Sequence, residues 1–355
     1  MNVQVIELSN PLWLQTLKRI RHDIYHLPEY VGLEARRTKT TAEALLIEDD
    51  QRLFFLPYLL RQCNDIFDEK LISQDIFDVV SPYGYPGILL NEAGANIPFL
   101  ELAIKQLTSV FCAKKVCSAF IRLHPILNQS LSQHPNICQI NGETVSIDLT
   151  LSEPEIWQQT RPEHRTHINR CKRTGFKALM VPFEKYIDEF LPIYKETMER
   201  VNAKQSYYFN SRYFAELANL KEKIHLCILD LGGQVACGGI FTECCGIVQY
   251  HLGATKSEFL KKSPTKLMFD YVRFWAKERG NKIFHLGGGV GGAKDSLYNF
   301  KAGFSKQTHT FTTIRLITEH NIYQDLVKLR AQSLNIGTQT LLSTDYFPAY
   351  RCLNF

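Results

Sequence analysis

Long apolar runs are missing from this chain. No stretch approaches the roughly 20 apolar residues that cross a bilayer. The first residues alternate and then meet Pro11, where a secretory leader would place a basic region followed by an apolar one. A cytoplasmic protein without a transmembrane segment is therefore expected. The ten cysteines contain no C-x-x-C pair, which argues against structural zinc. Most sit in apolar runs such as Leu226-Cys227-Ile228, as buried thiols of a reducing compartment do. His22 and His26 have metal-like spacing on a helix, but no H-E-x-x-H motif completes it, so no metal is expected. No G-x-x-x-x-G-K-[ST] occurs, because Ala293 follows Gly292, and no G-x-S-x-G elbow occurs either. Phosphate-loop NTPases and elbow-type serine hydrolases drop out. No cofactor is implied.

At 355 residues the chain is too long for one ordinary core and suggests two domains. Its 45% hydrophobic and 22% charged content fits a soluble globular protein. A net charge of +5 permits an anionic partner without proving one.

Residues 42–48 and 53–60 read as a hairpin, with a helical pattern before it from Trp13 to His26. A short strand at 77–81 runs into Pro82-Tyr83-Gly84-Tyr85-Pro86-Gly87, and a helix (97–113) and a strand (116–123) follow. Ser152-Glu153-Pro154-Glu155 is a capping box that opens a helix running to about Thr174, before Gly175. Arg161, Arg165 and Lys172 form a stripe on that helix, either a solvated face or a surface for tRNA or other phosphates. Two helices (183–201 and 211–220) and a meander (224–231, 234–242, 246–252) come next. A helix from Ser263-Pro264 to Gly280 then crosses over to a strand at 283–286, which should lie parallel to 246–252. Residues 308–317 form a last strand, and 321–342 look helical. Both halves repeat one order of elements. The expected domains are 1–150 and 151–320, with the C-terminal segment 321–355 packing back onto the first.

The stretch from Asn281 to Phe304 organises the second half. The strand Ile283-Phe284-His285-Leu286 breaks into five glycines, at 287, 288, 289, 291 and 292, and Phe300-Lys301-Ala302-Gly303-Phe304 follows. Glycines at a strand end let a ligand lie against bare backbone, and a nearby lysine can meet its negative charge. Gly287, Gly288 and Gly289 are thus candidate substrate contacts. Gly287-x-Gly289-x-x-Gly292 formally matches a dinucleotide fingerprint, but no long helix and second parallel strand follow it. What remains is a splayed parallel pair ending in Tyr250-His251-Leu252-Gly253 and in His285-Leu286-Gly287, near a lysine. Such edges can hold an extended acyl arm by main-chain hydrogen bonds, as transfer of an acyl group to an amine requires.

Here the sequence resembles the Fem aminoacyltransferases. Residues 157–317 are similar to their second domain, and the whole chain to their tandem GNAT-like arrangement. The match is carried by Arg165-x-x-Ile168-x-Arg170-Cys171-x-Arg173-x-Gly175, by Tyr250-His251-Leu252-Gly253-Ala254, and most specifically by Phe300-Lys301-x-Gly303-Phe304. In the first half, Ser81-Pro82-Tyr83-Gly84-Tyr85 resembles Fem-like acyltransferases of cell-envelope and polysaccharide genes, which makes Tyr83 and Tyr85 substrate-binding candidates beside Tyr250. The resemblance implies an α/β fold of two GNAT-like domains in tandem, with mixed, mostly antiparallel sheets. It also implies transfer of an aminoacyl group from aminoacyl-tRNA to an amine of a peptide or cell-envelope precursor. Lys301 inherits the role of the family's lysine, in binding the tRNA end and steadying the reaction centre; chemically, a fixed positive charge there would stabilise the oxyanion, with Phe300 and Phe304 holding its stem. His251 and His285, at the two strand ends, are candidate bases. The family's long helical arm is absent here, because 175–224 is ordinary in length.

Two alternatives stay open. An acyl-CoA enzyme acting on an amino sugar or polysaccharide precursor would want a [QR]-x-x-G-x-[GA] loop after the fourth strand. Lys256-Ser257-Glu258-Phe259-Leu260-Lys261-Lys262-Ser263-Pro264 has no glycine there, and its proline removes one amide. The other alternative is a silent GNAT-like module that binds RNA or a glycan.

Overall fold

A computed structural model describes residues 1–67, 75–131 and 137–352. They divide into two compact units, residues 1–140 with 311–355, and residues 141–310. The first unit holds β1 (Asn2–Glu7), α1 (Pro11–Lys18), α2 (Pro28–Thr38), β2 (Thr41–Asp49), β3 (Arg52–Gln62), β4 (Phe77–Val80), β5 (Leu89–Leu90), α3 (Ile97–Ala113) and β6 (Val116–Arg122). β7 (Gln139–Asp148) leads into the second unit. There follow α4 (Glu153–Gln159), α5 (Pro162–Arg173), β8 (Lys177–Val181), α6 (Phe183–Arg200), α7 (Ser211–Leu217), β9 (Ile224–Leu231), β10 (Gln234–Cys244), β11 (Ile247–Thr255), α8 (Pro264–Glu278), β12 (Ile283–Gly287) and α9 (Ser296–Lys301). β13 (Thr308–Ile317) returns the chain to the first unit, which closes with α10 (His320–Ser333) and α11 (Thr338–Leu342).

Each unit is α/β, with a mixed and mostly antiparallel sheet. The strand order is β1-β2-β3-β4-β6-β13 in the first unit and β8-β9-β10-β11-β12-β7 in the second. In each, three antiparallel pairings are followed by one parallel pair, β4 with β6 or β11 with β12. A helix joins the members of that pair, α3 or α8, as a parallel crossover needs. The sequence places β7 at the end of the first half; it pairs with β12 and so belongs to the second unit.

Local chemistry accounts for the element ends. Pro264 starts α8, and Gly280 follows its end with φ +81°, a left-handed conformation that glycine adopts without strain. On the inner face of α8, Leu267, Met268, Phe269 and Val272 pack with Val248, Phe284 and Leu286. Gln249 and His285 alternate with those strand residues and therefore point to the opposite face. In the first unit, α10, α11 and the segment around Tyr350 form a cluster with Cys63 and Cys117. Of the C-terminal segment expected to run to 355, residues 353–355 lie outside the described residues.

Three helices differ from the sequence reading. The helix expected to run from the Ser152 capping box to Thr174 is two, because Thr160 and Arg161 turn extended ahead of Pro162, which starts α5. The pattern from Trp13 to His26 stops at Lys18, and Asp23 caps a separate short turn at Ile24–His26, so His22 and His26 share no helix. The segment 321–342 breaks where Asn335 adopts φ +54°.

Candidate active site

The site begins where the parallel pair parts. β11 and β12 are paired only from Ile247–Ile283 to Gln249–His285. Beyond that rung β11 stays on β10 through Thr255, while β12 stays on β7, pairing Gly287 with Val145. Along β10, Ile240 faces Leu252 and Phe241 faces Tyr250, so His251 is the extra residue of a bulge.

Lys301, the last residue of α9, is buried. Its Nζ donates to the Gly288 carbonyl at 2.7 Å and lies 5.7 Å from the centre of the Tyr250 ring. Burial pulls its pKa down from 10.5 to about 7, against the upward pull of Asp295. The charge that the sequence reading took as fixed is therefore conditional near neutral pH. Asp295 caps α9, accepting the amides of Tyr298 and Val290 at 2.9 Å each, and so ties the glycine segment to the helix that carries the lysine.

The glycines serve close approach within the chain. A Cβ on Gly288 would lie 2.6 Å from the Glu143 carbonyl oxygen, and one on Gly289 would lie 2.1 Å from that of Ala293. Gly287 has φ +77°. The space expected for a ligand against these residues is thus taken at 288 and 289 by chain, and the segment presents the Gly288 carbonyl to Lys301.

Phe300 and Phe304 pack on Phe269, at 5.4 and 5.1 Å between ring centres, and the ring beside the ammonium is Tyr250. Gly303 is required by His164, whose Nε2 lies 2.3 Å from where a Cβ would stand and donates to the Phe300 carbonyl at 2.9 Å. The Arg161 amide donates to the Gly303 carbonyl at 2.7 Å. The start of α5 is thereby fastened to the lysine segment, so the two motifs form one structural unit. The sequence shows His164 only as part of a helix stripe with Trp157, Ile168 and Cys171; its role here was not legible because its partner lies 136 residues away.

The histidines stand apart from the lysine. His285 donates from Nδ1 to Gln249 Oε1 at 2.5 Å, on the sheet face opposite the cluster that holds Phe269 and packs on Tyr250. His251 Nε2 lies 3.1 Å from the Tyr213 hydroxyl of α7. The basic stripe also divides. Lys172 pairs with buried Asp270 at 2.8 Å, and Asp270 also holds Arg273, whereas Arg161 is exposed and Arg165 half-buried. Arg170, absent from the predicted stripe, is exposed and donates to the Lys261 carbonyl at 3.1 Å, beside the exposed Lys261 and Lys262. In the first unit, Tyr83 is held by Glu34 and Tyr30 through its backbone, and Tyr85 lies edge-on to Tyr25 and Phe311. Between them Gly84 has φ +92°, with the Tyr25 ring where a Cβ would be.

Residues 159–301 match the family described as acetyltransferase (GNAT) domain. FemX shares 12% identity at a TM-score of 0.69, over 90% of this chain and 99% of that one. The fold is a tandem GNAT-like fold of the Fem type. Two further structures agree. One is the C-terminal domain of a protein described as a lysylphosphatidylglycerol synthetase from Agrobacterium fabrum, at 13% identity and TM-score 0.55, covering 90% of this chain and 97% of that one. The other is L-PGS from Bacillus licheniformis, at 15% and 0.54, covering 87% and 92%. No curated protein matches the sequence. With the GNAT domain match spanning α5 to α9, the second unit carries an acyltransferase domain, and the parted strands β11 and β12 lie inside it. No helix among the described residues is long and apolar enough to cross a membrane.

Proposed function

We propose that the chain transfers an aminoacyl group from aminoacyl-tRNA to an amine of a peptide or cell-envelope precursor. The observation that carries the choice of donor is the turn between β11 and α8. A pyrophosphate cradle needs amides that point outward at the start of that helix. Here the Lys256 amide bonds Ala236, Ser257 bonds Glu196, Phe259 bonds Lys256, Ser263 bonds Leu260 and Lys266 bonds Ser263, while Pro264 has no amide to give. Those five amides are spent inward, and Lys261 and Lys262 are exposed. That arrangement suits phosphates met by side chains, as along an RNA backbone. The fold likeness to FemX and to L-PGS supports the same reading.

The chemistry follows from the parted strands. An amine attacks the donor's ester carbonyl, charge develops on its oxygen, and the Lys301 ammonium in its poorly hydrated setting stabilises that charge more than it would in water. The test is a direct comparison of donors. The protein is incubated with mixed charged tRNA and, separately, with an acyl-CoA panel, each with an amine acceptor, and donor consumption is followed. Amine-dependent deacylation of tRNA is expected. Saturable release of free CoA with charged tRNA left intact would refute the tRNA reading.

A further inference from the structure

We propose that Tyr250 is the proton donor to the leaving oxygen of the acyl donor. The proposal rests on the acyl-transfer reading of this site and adds a group that the reaction needs. Aminolysis of an ester must move a proton from the attacking nitrogen to the departing oxygen, because an alkoxide leaves poorly without one.

Tyr250 is the first residue of β11 beyond the last rung shared with β12. Its ring is fixed by Phe241 and Phe269, at 5.6 and 4.7 Å between centres, and the Lys301 ammonium lies over it. Its hydroxyl is held above Gly253, where an added Cβ would come within 1.9 Å of the oxygen. The lack of a side chain at 253 is therefore what gives the hydroxyl its place. Tyr250 is half-buried, and buried tyrosines of the chain spend their hydroxyls on protein partners. Tyr30 donates to the Tyr83 carbonyl, Tyr58 to Glu43, Tyr194 to the Tyr207 carbonyl and Tyr298 to Glu143, and Tyr213 meets His251. The Tyr250 hydroxyl has no such partner among the described residues. It is fixed in place at the mouth of the strand pair with its proton uncommitted. Burial raises its pKa, so the proton is present at neutral pH.

The step balances. The acceptor nitrogen forms a bond to the carbonyl carbon, and the carbon–oxygen bond to the donor's ribose breaks. The Tyr250 O–H proton goes to the departing oxygen. The phenolate left behind, beside the Lys301 ammonium, takes back the proton that the new amide nitrogen loses. Products are an amide and a free hydroxyl, with Tyr250 and Lys301 restored.

The experiment compares leaving groups carrying one and the same acyl group. Wild type and Tyr250→Phe are assayed with aminoacyl-tRNA, whose leaving alkoxide needs a proton, and with the p-nitrophenyl ester of that amino acid, whose phenolate does not. Tyr250→Phe should lower kcat on the tRNA ester about 10²-fold, the lower end for a lost general acid, and leave the activated ester within about 3-fold on the same reasoning. Gly253→Ala, which keeps the phenol but displaces it, should show the same selectivity, and it serves in place of Tyr250→Phe should that variant fail to fold. Equal losses on both esters, or no loss on either, would overturn the proposal while leaving the donor reading intact. A wild type that consumes acyl-CoA and spares charged tRNA overturns the donor reading alone. The alkyl and phenyl thioesters of one acyl group then decide the role of Tyr250 by the same comparison. A wild type inert toward every donor overturns both.

Discussion

Replacing Lys301 by methionine should make the protein more stable and less active. The native state holds an ammonium whose ordinary pKa is 10.5 at about 7, because burial strips its water. At about 1.4 kcal/mol per tenfold change in proton affinity, that costs the fold about 4 kcal/mol at pH 7. Methionine keeps the length of the stem and removes the charge. It also leaves the Gly288 carbonyl without the donor now 2.7 Å away, a loss of about 1–3 kcal/mol. The net gain is therefore about 1–3 kcal/mol, to be read as a shift of the urea midpoint at unchanged m. The sign depends on pH. From about 7 to 10.5 the unfolded chain keeps a proton that native Lys301 has given up, so wild type gains stability as pH rises and the advantage of the variant shrinks across that window. Below about 7 both states are protonated and the difference is at its full value. Turnover should fall about 10²-fold or more, the loss typical of one oxyanion donor. A variant that is destabilised would show that the lysine supports the fold. A stable variant with near-normal turnover on its true donor would refute the catalytic assignment.

Arg161→Ala with Arg165→Ala should flatten the salt dependence of tRNA binding by about two phosphate contacts. Lys172→Ala should leave that slope unchanged and lower thermal stability, because buried Asp270 then keeps Arg273 alone as its cation; a slope unmoved by the double variant would sink the phosphate-binding role. Gly303→Ala should destabilise by about 1–3 kcal/mol through the clash with His164, and His164→Ala in the same chain should recover part of it in urea unfolding. In the first unit, burial and neighbouring His124 hold the pKa of His26 down from 6.5 to about 3, so its contribution is full above 6.5 and lost as pH falls toward 3, where the unfolded chain takes the proton first. His26→Gln keeps an acceptor for the Asp23 amide and should weaken this acid limb by about 1 kcal/mol per pH unit between those values; an unchanged limb would show that other groups set it.

Elements with one strong local signal were legible in the sequence. β13 has the bounds expected for the last strand, Thr308 and Ile317, and the helix between the strands of β11 and β12 marked them as a parallel pair. Breaks that rest on one residue were not. Pro162 favours the start of a helix over its interior, a signal the long amphipathic pattern masked, and Thr160 and Arg161 bonding to the Phe304 and Gly303 carbonyls far along the chain fix the break. α2 escaped because its run of Glu34, Arg36 and Arg37 looks solvated; Glu34 is in fact buried and held by Arg37 and the Tyr83 amide. The same limit governs the site. Lys301 could be singled out from its motif, but its neutral-range pKa depends on burial. Gly253 reads as a turn residue until the Tyr250 hydroxyl is seen above it.

Both units contain a parallel strand pair, and the fate of the strands beyond it explains why chemistry is assigned to the second. In the first unit the chain past the pair is sewn across. The Ser81 amide donates to the Phe120 carbonyl, the Arg122 amide to Ser81 Oγ, and the Gly87 amide to the Arg122 carbonyl. Arg122 Nη2 adds bonds to the Ser81 and Pro82 carbonyls, at 2.9 Å each. An arginine side chain and a serine hydroxyl thus occupy the place where strands could part, and an acyl arm would find those backbone groups already bonded. In the second unit, counting on from the last rung, the positions equivalent to Ser81 and Arg122 are Tyr250 and Gly287. Gly287 has no side chain to bridge the pair, and the Tyr250 hydroxyl makes no bond to a backbone carbonyl among the described residues. One topology therefore gives a closed seam when polar side chains bridge it, and an opening when an aromatic ring and a glycine stand there. The prediction of a reacting centre beside Lys301 follows from that difference in side chains rather than from the shared fold.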